Sequence, residues 1–147
     1  MKIAIGNDHA GFEAKTSVVE YLTKQGHTVI DCGSYNVDRC DYPDFAQAVS
    51  AKVVGGEADF GVLICGSGEG ISIAANKVKG IRAAVCTNTY MAEMTKRHNN
   101  SNIIAFGARV VGDELAKSIL DAFFDAEFEG GRHQNRLDKI TQIENEQ

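Results

Sequence analysis

Apolar residues change period repeatedly along this chain, and each change marks an element. Lys2 to Gly6 is a short apolar run that predicts a buried strand, followed by the polar loop Asn7-Asp8-His9-Ala10-Gly11. Phe12, Val18, Val19 and Leu22 then recur at helical spacing, and Gly26 stops that helix. His27 to Cys32 predicts a second strand, and Gly33 to Asp41 a polar loop. Pro43, the only proline, suits the first turn of a helix with Phe45, Val49 and Val53 inward, ended by Gly55-Gly56. Ala58 to Ile64 predicts the third strand. A glycine loop follows, and then a helix from Ile71 to Lys77, broken by Gly80. Ile81 to Cys86 predicts a fourth strand. Thr87 or Asn88 can cap a helix running to about His98, and Asn102 to Phe106 predicts the fifth strand. Asp113 to Phe124 reads as a helix with Leu115, Ile119, Leu120 and Phe123 inward. Past Gly130-Gly131, Leu137, Ile140 and Ile143 form a narrow apolar stripe, which predicts a last helix docking on a partner subunit.

Strands alternating with helices predict an α/β fold: a three-layer α/β/α, Rossmann-like sandwich around a five-stranded parallel sheet. The length fits one domain over 1–147, with no repeat or linker. In such folds ligands bind beyond the carboxyl ends of the strands. Asp8 and His9 follow the first strand, Cys65 to Gly70 the third, and Arg109 the fifth. His98 and Asn99 precede the fifth strand and need another route in, such as a neighbouring subunit.

A net charge of −5 argues against non-specific nucleic-acid binding. No apolar run approaches a membrane span, and the N-terminus lacks a signal peptide's apolar stretch. Cys32, Cys40, Cys65 and Cys86 show no C-x-x-C spacing and read as reduced thiols in a cytoplasmic protein. No His, Cys, Asp or Glu set has metal-ligand spacing, so no metal is expected.

Candidate chemistry centres on Cys65-Gly66-Ser67-Gly68-Glu69-Gly70. Strand, glycine loop and helix in that order gather backbone N–H groups around one small space and favour negative charge there. A helix N-terminus also lowers a thiol pKa, which offers a potential base or nucleophile there. The loop is not a Walker A motif, and its alternate glycines differ from a dinucleotide fingerprint. Taken singly, Cys65 fits an inert buried thiol, His9 and His98 fit helix or loop caps, and Tyr42 fits a rim aromatic. Arg132 and Arg136, four apart, fit a solvated face or a phosphate clamp.

Several segments occur together: Gly6-Asn7-Asp8-His9-Ala10-Gly11, Asp41-Tyr42-Pro43, Ile64-Cys65-Gly66-Ser67-Gly68-Glu69-Gly70-Ile71, Arg97-His98-Asn99 and Gly130-Gly131-Arg132-His133. This set closely resembles the type B ribose-5-phosphate isomerases, in the family that also holds galactose-6-phosphate isomerase subunits. Ser67 stands where many relatives have Thr, which keeps the hydroxyl. The resemblance implies cofactor-free interconversion of ribose 5-phosphate and ribulose 5-phosphate in the non-oxidative pentose phosphate pathway. It implies homodimers, some paired into tetramers, with active sites shared between chains and a small sugar phosphate as ligand. Cys65 would move the proton between C1 and C2, and Gly66, Ser67, Gly68, Glu69 and Gly70 would hold the enediolate oxygens. His98 would be the acid that opens the furanose, with Asp8 and His9 on the ring oxygens. Asn99 would touch the sugar, Tyr42 would line the pocket, and Arg109, Arg132 and Arg136 would bind the phosphate or its flank.

The bottom-up chemistry agrees, because charge on an enediolate oxygen is best met by preorganised N–H donors. Within the family the alternative is an allose 6-phosphate or galactose 6-phosphate isomerase. Outside it stand a Cys-His hydrolase or transferase trapped covalently on Cys65, and a non-catalytic sugar-phosphate-binding module.

Overall fold

The computed structural model describes residues 1–147. Five strands form one sheet: β1 (Lys2–Asn7), β2 (Thr28–Asp31), β3 (Phe60–Cys65), β4 (Ala83–Val85) and β5 (Ile103–Gly107). All neighbours are parallel, in the order β2-β1-β3-β5-β4. Six helices accompany them: α1 (Phe12–Lys24), α2 (Tyr42–Val54), α3 (Glu69–Ala75), α4 (Thr89–Asn99), α5 (Asp113–Asp125) and α6 (Arg132–Asn145).

The three central strands are apolar almost without interruption because both faces of the sheet are covered. Ile3, Ile5, Val62, Ile64, Ile104 and Phe106 point to one face. They pack there with Val18 and Leu22 of α1, Ala92 of α4, and Ile119, Leu120 and Phe123 of α5. The alternate residues Ala4, Leu63, Cys65, Ile103 and Ala105 point to the other face, against Ala46 and Val49 of α2 and Ile71 and Ala75 of α3. Helix α2 lies close on the sheet because Gly61 has no side chain. A Cβ there would sit 2.7 Å from a Val49 methyl and 2.9 Å from Ile103.

Strand order locates the site. The chain passes from β1 out to β2, then returns on the far side of β1 as β3. The loops leaving β1 and β3 therefore diverge and open a crevice beyond their carboxyl ends. Asn7 is in register with Ile64, and Cys65 with Gly107, so three strands end together at that edge.

Some expectations are corrected. Leu115 is 42% exposed, because Ala116 takes the inward position on α5 beside Ile119, Leu120 and Phe123. The fourth strand is only three residues long and sits at the sheet edge. There the Asn76 side chain donates to Ala83 O and accepts from Ala83 N, both at 2.8 Å, filling the positions a further strand would occupy. Helix α6 begins at Arg132, before its apolar stripe, and only Leu137 of that stripe is buried; Ile140 and Ile143 are exposed.

Candidate active site

The loop after β3 is held in one shape. Gly68 has φ +84, and a Cβ there would fall 2.7 Å from the carbonyl carbon of Phe106 and 3.0 Å from Gly107 N. Both the backbone conformation and the space thus demand glycine. The turn aims the Gly68 N–H at Cys65 Sγ, 3.1 Å away. Ala108 N donates to Cys65 O (2.8 Å) and Arg109 N to Gly66 O (3.1 Å), fastening the loop to the end of β5. Glu69 N donates to Ser67 Oγ (3.2 Å). The N–H groups of Gly66, Ser67, Gly70 and Ile71 find no acceptor within the chain. Cys65 is 4% exposed, with its sulfur under the loop. Helix α3 starts at Glu69, two residues before the first apolar position, so the loop's last glycine already lies in its first turn.

Side chains from three loops wall this space. The Tyr42 ring lies over Gly70, where a Cβ would come within 2.7 Å of Tyr42 Cζ. Arg109 lies over Gly66, its Nη1 3.2 Å from the place of such a Cβ. Asp8 Oδ1 accepts from Ala10 N (2.9 Å) and Gly11 N (3.3 Å), capping the turn that follows β1. Its second oxygen has no partner in the chain, so it is available to a ligand. His9 Nδ1 accepts from Cys40 N at 3.3 Å, so the neutral ring carries its proton on Nε2.

The loop between β2 and α2 is anchored from below. Lys15, 3% exposed, binds both Asp31 oxygens at 3.0 Å and the Ser34 carbonyl. Asn7 Nδ2 donates to Asp8 O (2.8 Å) and Ser34 Oγ (3.2 Å). Two other cysteines are structural: burial pushes the Cys32 thiol up, and Cys86 up to about 11.

The remaining predicted residues lie toward the amino end of the strands, away from the loop after β3. His98 and Asn99 end α4, before β5 begins, and Arg132 and Arg136 open α6, with both arginines and Asn99 exposed. Within one chain Cys65 and His98 are therefore not brought together. His98 stacks on His133, ring centroids 4.2 Å apart and planes 10° from parallel. Both Nε2 atoms face one oxygen, Glu129 Oε2, at 3.7 Å from His98 and 3.4 Å from His133. Arg97 grips the other oxygen through Nε (2.9 Å) and Nη2, and holds the Glu129 carboxyl below its usual range. Burial lowers His133, with the positive charges of His98, Arg132 and Arg136 adding to it and Glu129 opposing. The donor atoms of His98, Glu129 and His133 lie within 4.8 Å of one another. A metal bound to both imidazoles would have to lie in both ring planes at about 2 Å from each nitrogen, which parallel stacked rings do not allow.

A sequence model described as ribose/galactose isomerase matches residues 3–140. The chain belongs to that family. It is 54% identical over 143 residues to ribose-5-phosphate isomerase B of Escherichia coli, covering 97% of this chain and 96% of the relative. Its fold matches ribose-5-phosphate isomerase B of Clostridium thermocellum with a TM-score of 0.99 at 54% identity, over 99% of each chain. The Mycoplasma genitalium enzyme, solved with bound ribulose 5-phosphate, matches with a TM-score of 0.95 at 42% identity, over 99% of this chain and 97% of that one. No helix of this family member is long and apolar enough to cross a membrane.

Sequence reasoning missed the Arg97–Glu129–His133 group around His98. Arg97 and Glu129 are 32 residues apart, so no local spacing announces them. It also missed Lys15, whose helical position reads as a solvated face until Asp31 is placed beside it.

Proposed function

We propose that the protein interconverts ribose 5-phosphate and ribulose 5-phosphate through a cis-enediolate, in sites that two copies of the chain build together. One observation carries this reading. Cys65 and its unpaired N–H groups sit at the carboxyl end of the strands, while His98, Asn99, Arg132 and Arg136 sit toward the amino end. A two-fold dimer sets the carboxyl end of one copy's strands against the amino-end residues of the other and completes two equivalent sites. The identity to enzymes named for ribose 5-phosphate favours the pentose over allose 6-phosphate or galactose 6-phosphate.

The chemistry follows from the geometry. His98 of one copy protonates the furanose ring oxygen, the bond from C1 to that oxygen breaks, and the C1 hydroxyl passes its proton to Asp8 as the aldehyde forms. His9 Nε2–H donates to a sugar oxygen beside Asp8, and Asn99 binds a hydroxyl. The Cys65 thiolate then removes the C2 proton and returns it to C1. Between those transfers negative charge rests on the enediolate oxygens, where the N–H groups of the loop from Gly66 to Gly70 and the Ser67 hydroxyl receive it. The shuttle needs no redox partner, because one proton moves between adjacent carbons while the O2 hydroxyl proton passes to O1. Arg132 and Arg136, with Arg109, hold the phosphate, and that remote binding keeps the linear sugar aligned. Tyr42, seated on Gly70, shields the carbons from water.

The test mixes two inactive variants, Cys65→Ala and His98→Asn, under conditions that let subunits exchange. Half of the dimers become mixed, and each has one intact site, so about a quarter of wild-type turnover should return. No recovery would place both residues in one chain's site and overturn the shared-site reading. Progress curves of the wild-type protein on ribose 5-phosphate, allose 6-phosphate and galactose 6-phosphate decide the sugar. A higher kcat/KM on either hexose phosphate would reverse that assignment.

A further inference from the structure

The group behind His98 is more elaborate than a helix end needs. Glu129 is fixed twice to α4: its N–H donates to Arg97 O at 3.0 Å, and its Oε1 accepts from the Arg97 guanidinium. Arg97 is itself held from the other side by Glu93 at 2.7 Å. That leaves Oε2 aimed at the two stacked imidazoles. His133 is 5% exposed and its Nε2 makes no hydrogen bond, so a buried ring serves as a plate under His98 rather than as a partner for water.

We infer that Glu129 is a positioning residue for His98, fixing which of its ring nitrogens faces the substrate, with His133 as the stacking plate that fixes the ring plane. The inference rests on the proposed role of His98 as the ring-opening acid. Oε2 stands 3.7 Å from His98 Nε2, so its negative charge, rather than a hydrogen bond, favours a proton on that nitrogen. The nitrogen that gives its proton to the sugar's ring oxygen is then Nδ1. After that transfer the neutral ring is left as its Nε2–H tautomer, facing a carboxylate that favours this form. Arg97 keeps Glu129 ionised and prevents it from turning toward Arg132 or Arg136, which flank His133 on α6. Without the carboxylate the Nδ1–H of the imidazolium loses its fixed direction, and the neutral ring left after the transfer spreads over both tautomers.

Glu129→Gln, His98→Asn, the double variant and Glu129→Asp test this on the full-length enzyme. Gln keeps an acceptor for Arg97, so its melting midpoint should match wild type. Its kcat on ribose 5-phosphate should fall about tenfold, with KM within about twofold, and Glu129→Asp should recover part of the loss. In the His98→Asn background the Gln substitution should cost nothing more, because it acts through His98. Nitrogen-15 NMR of the resting protein should show neutral His98 as Nε2–H, and a mixture of tautomers in Glu129→Gln and in His133→Asn. Multiplicative losses in the double variant, or an unchanged tautomer, would overturn the positioning role while leaving His98 as the acid. Wild-type turnover by His98→Asn alone would overturn the acid role as well.

Discussion

Gly68 donates its N–H to Cys65 Sγ across 3.1 Å, and no other residue type can stand at position 68 and still do so. The sulfur proposed to carry the proton and the loop proposed to receive the developing charge are therefore one unit. Gly68→Ala forces a side chain onto a left-handed backbone and into Phe106 and Gly107. It should destabilise the fold by about 2 kcal/mol in urea unfolding. Because the whole loop must shift, kcat should fall by about 100-fold or more, the loss seen when an oxyanion donor is removed. Near-normal kcat with lowered stability would show that the loop's shape matters only for packing.

Gly70→Ala should behave differently, although the added Cβ would come equally close to its neighbour. The atom it meets is the end of Tyr42, a side chain 39% exposed and free to swing into solvent. We expect a melting midpoint within about 2 °C of wild type and a raised KM, because the ring no longer covers the site. Tyr42→Ala should reproduce the same KM. A kcat loss without a KM change would move Tyr42 out of the pocket wall.

The β2–α2 loop makes an asymmetric prediction. Lys15 is almost fully buried while its partner Asp31 keeps a 37% exposed side chain. Asp31→Ala leaves a buried ammonium with only the Ser34 carbonyl and should cost about 3 kcal/mol. Lys15→Met leaves a carboxylate that water can reach and should cost about 1 kcal/mol. Denaturant midpoints of the two variants check the order, and equal losses would mean that the ion pair is a surface contact in solution.

How much of this was legible beforehand depends on whether a residue's role is local. Strands and helices followed from local period, and the shape of the Cys65–Gly70 loop from glycine spacing. Strand order did not, because an apolar run reads the same at the centre (Ile103–Gly107) and at the edge (Ala83–Val85). The first turn of α6, Arg132 to Asn135, carries only polar residues, and His133 is buried there stacked on His98 of α4 rather than by an apolar pattern. Leu115 was misplaced because alanine carries little hydrophobic signal, so Ala116 did not register as the inward position. The pairing of Arg97 with Glu129 behind His98 exists only once α4 and the segment before α6 are packed together.

Cys86 provides the final check, on the core rather than the site. It is 1% exposed beneath the α1, α4 and α5 layer, and burial raises its thiol from 9.0 to about 11. Below pH 9 the thiol is protonated in both folded and unfolded chains and contributes no pH dependence. Between pH 9 and about 11 the unfolded chain releases its proton while the folded chain keeps it, so the unfolded state is favoured as pH rises. The two-unit difference amounts to about 3 kcal/mol of stability lost across that window. Other groups titrate there too, so the measurement is the difference between wild type and Cys86→Ala. The variant starts less stable, from the small cavity it leaves, and its urea midpoint should then fall less steeply from pH 9 to 11. Parallel curves would mean that water reaches the Cys86 sulfur in the folded protein, and that the apolar layer over β4 opens more readily than its packing suggests.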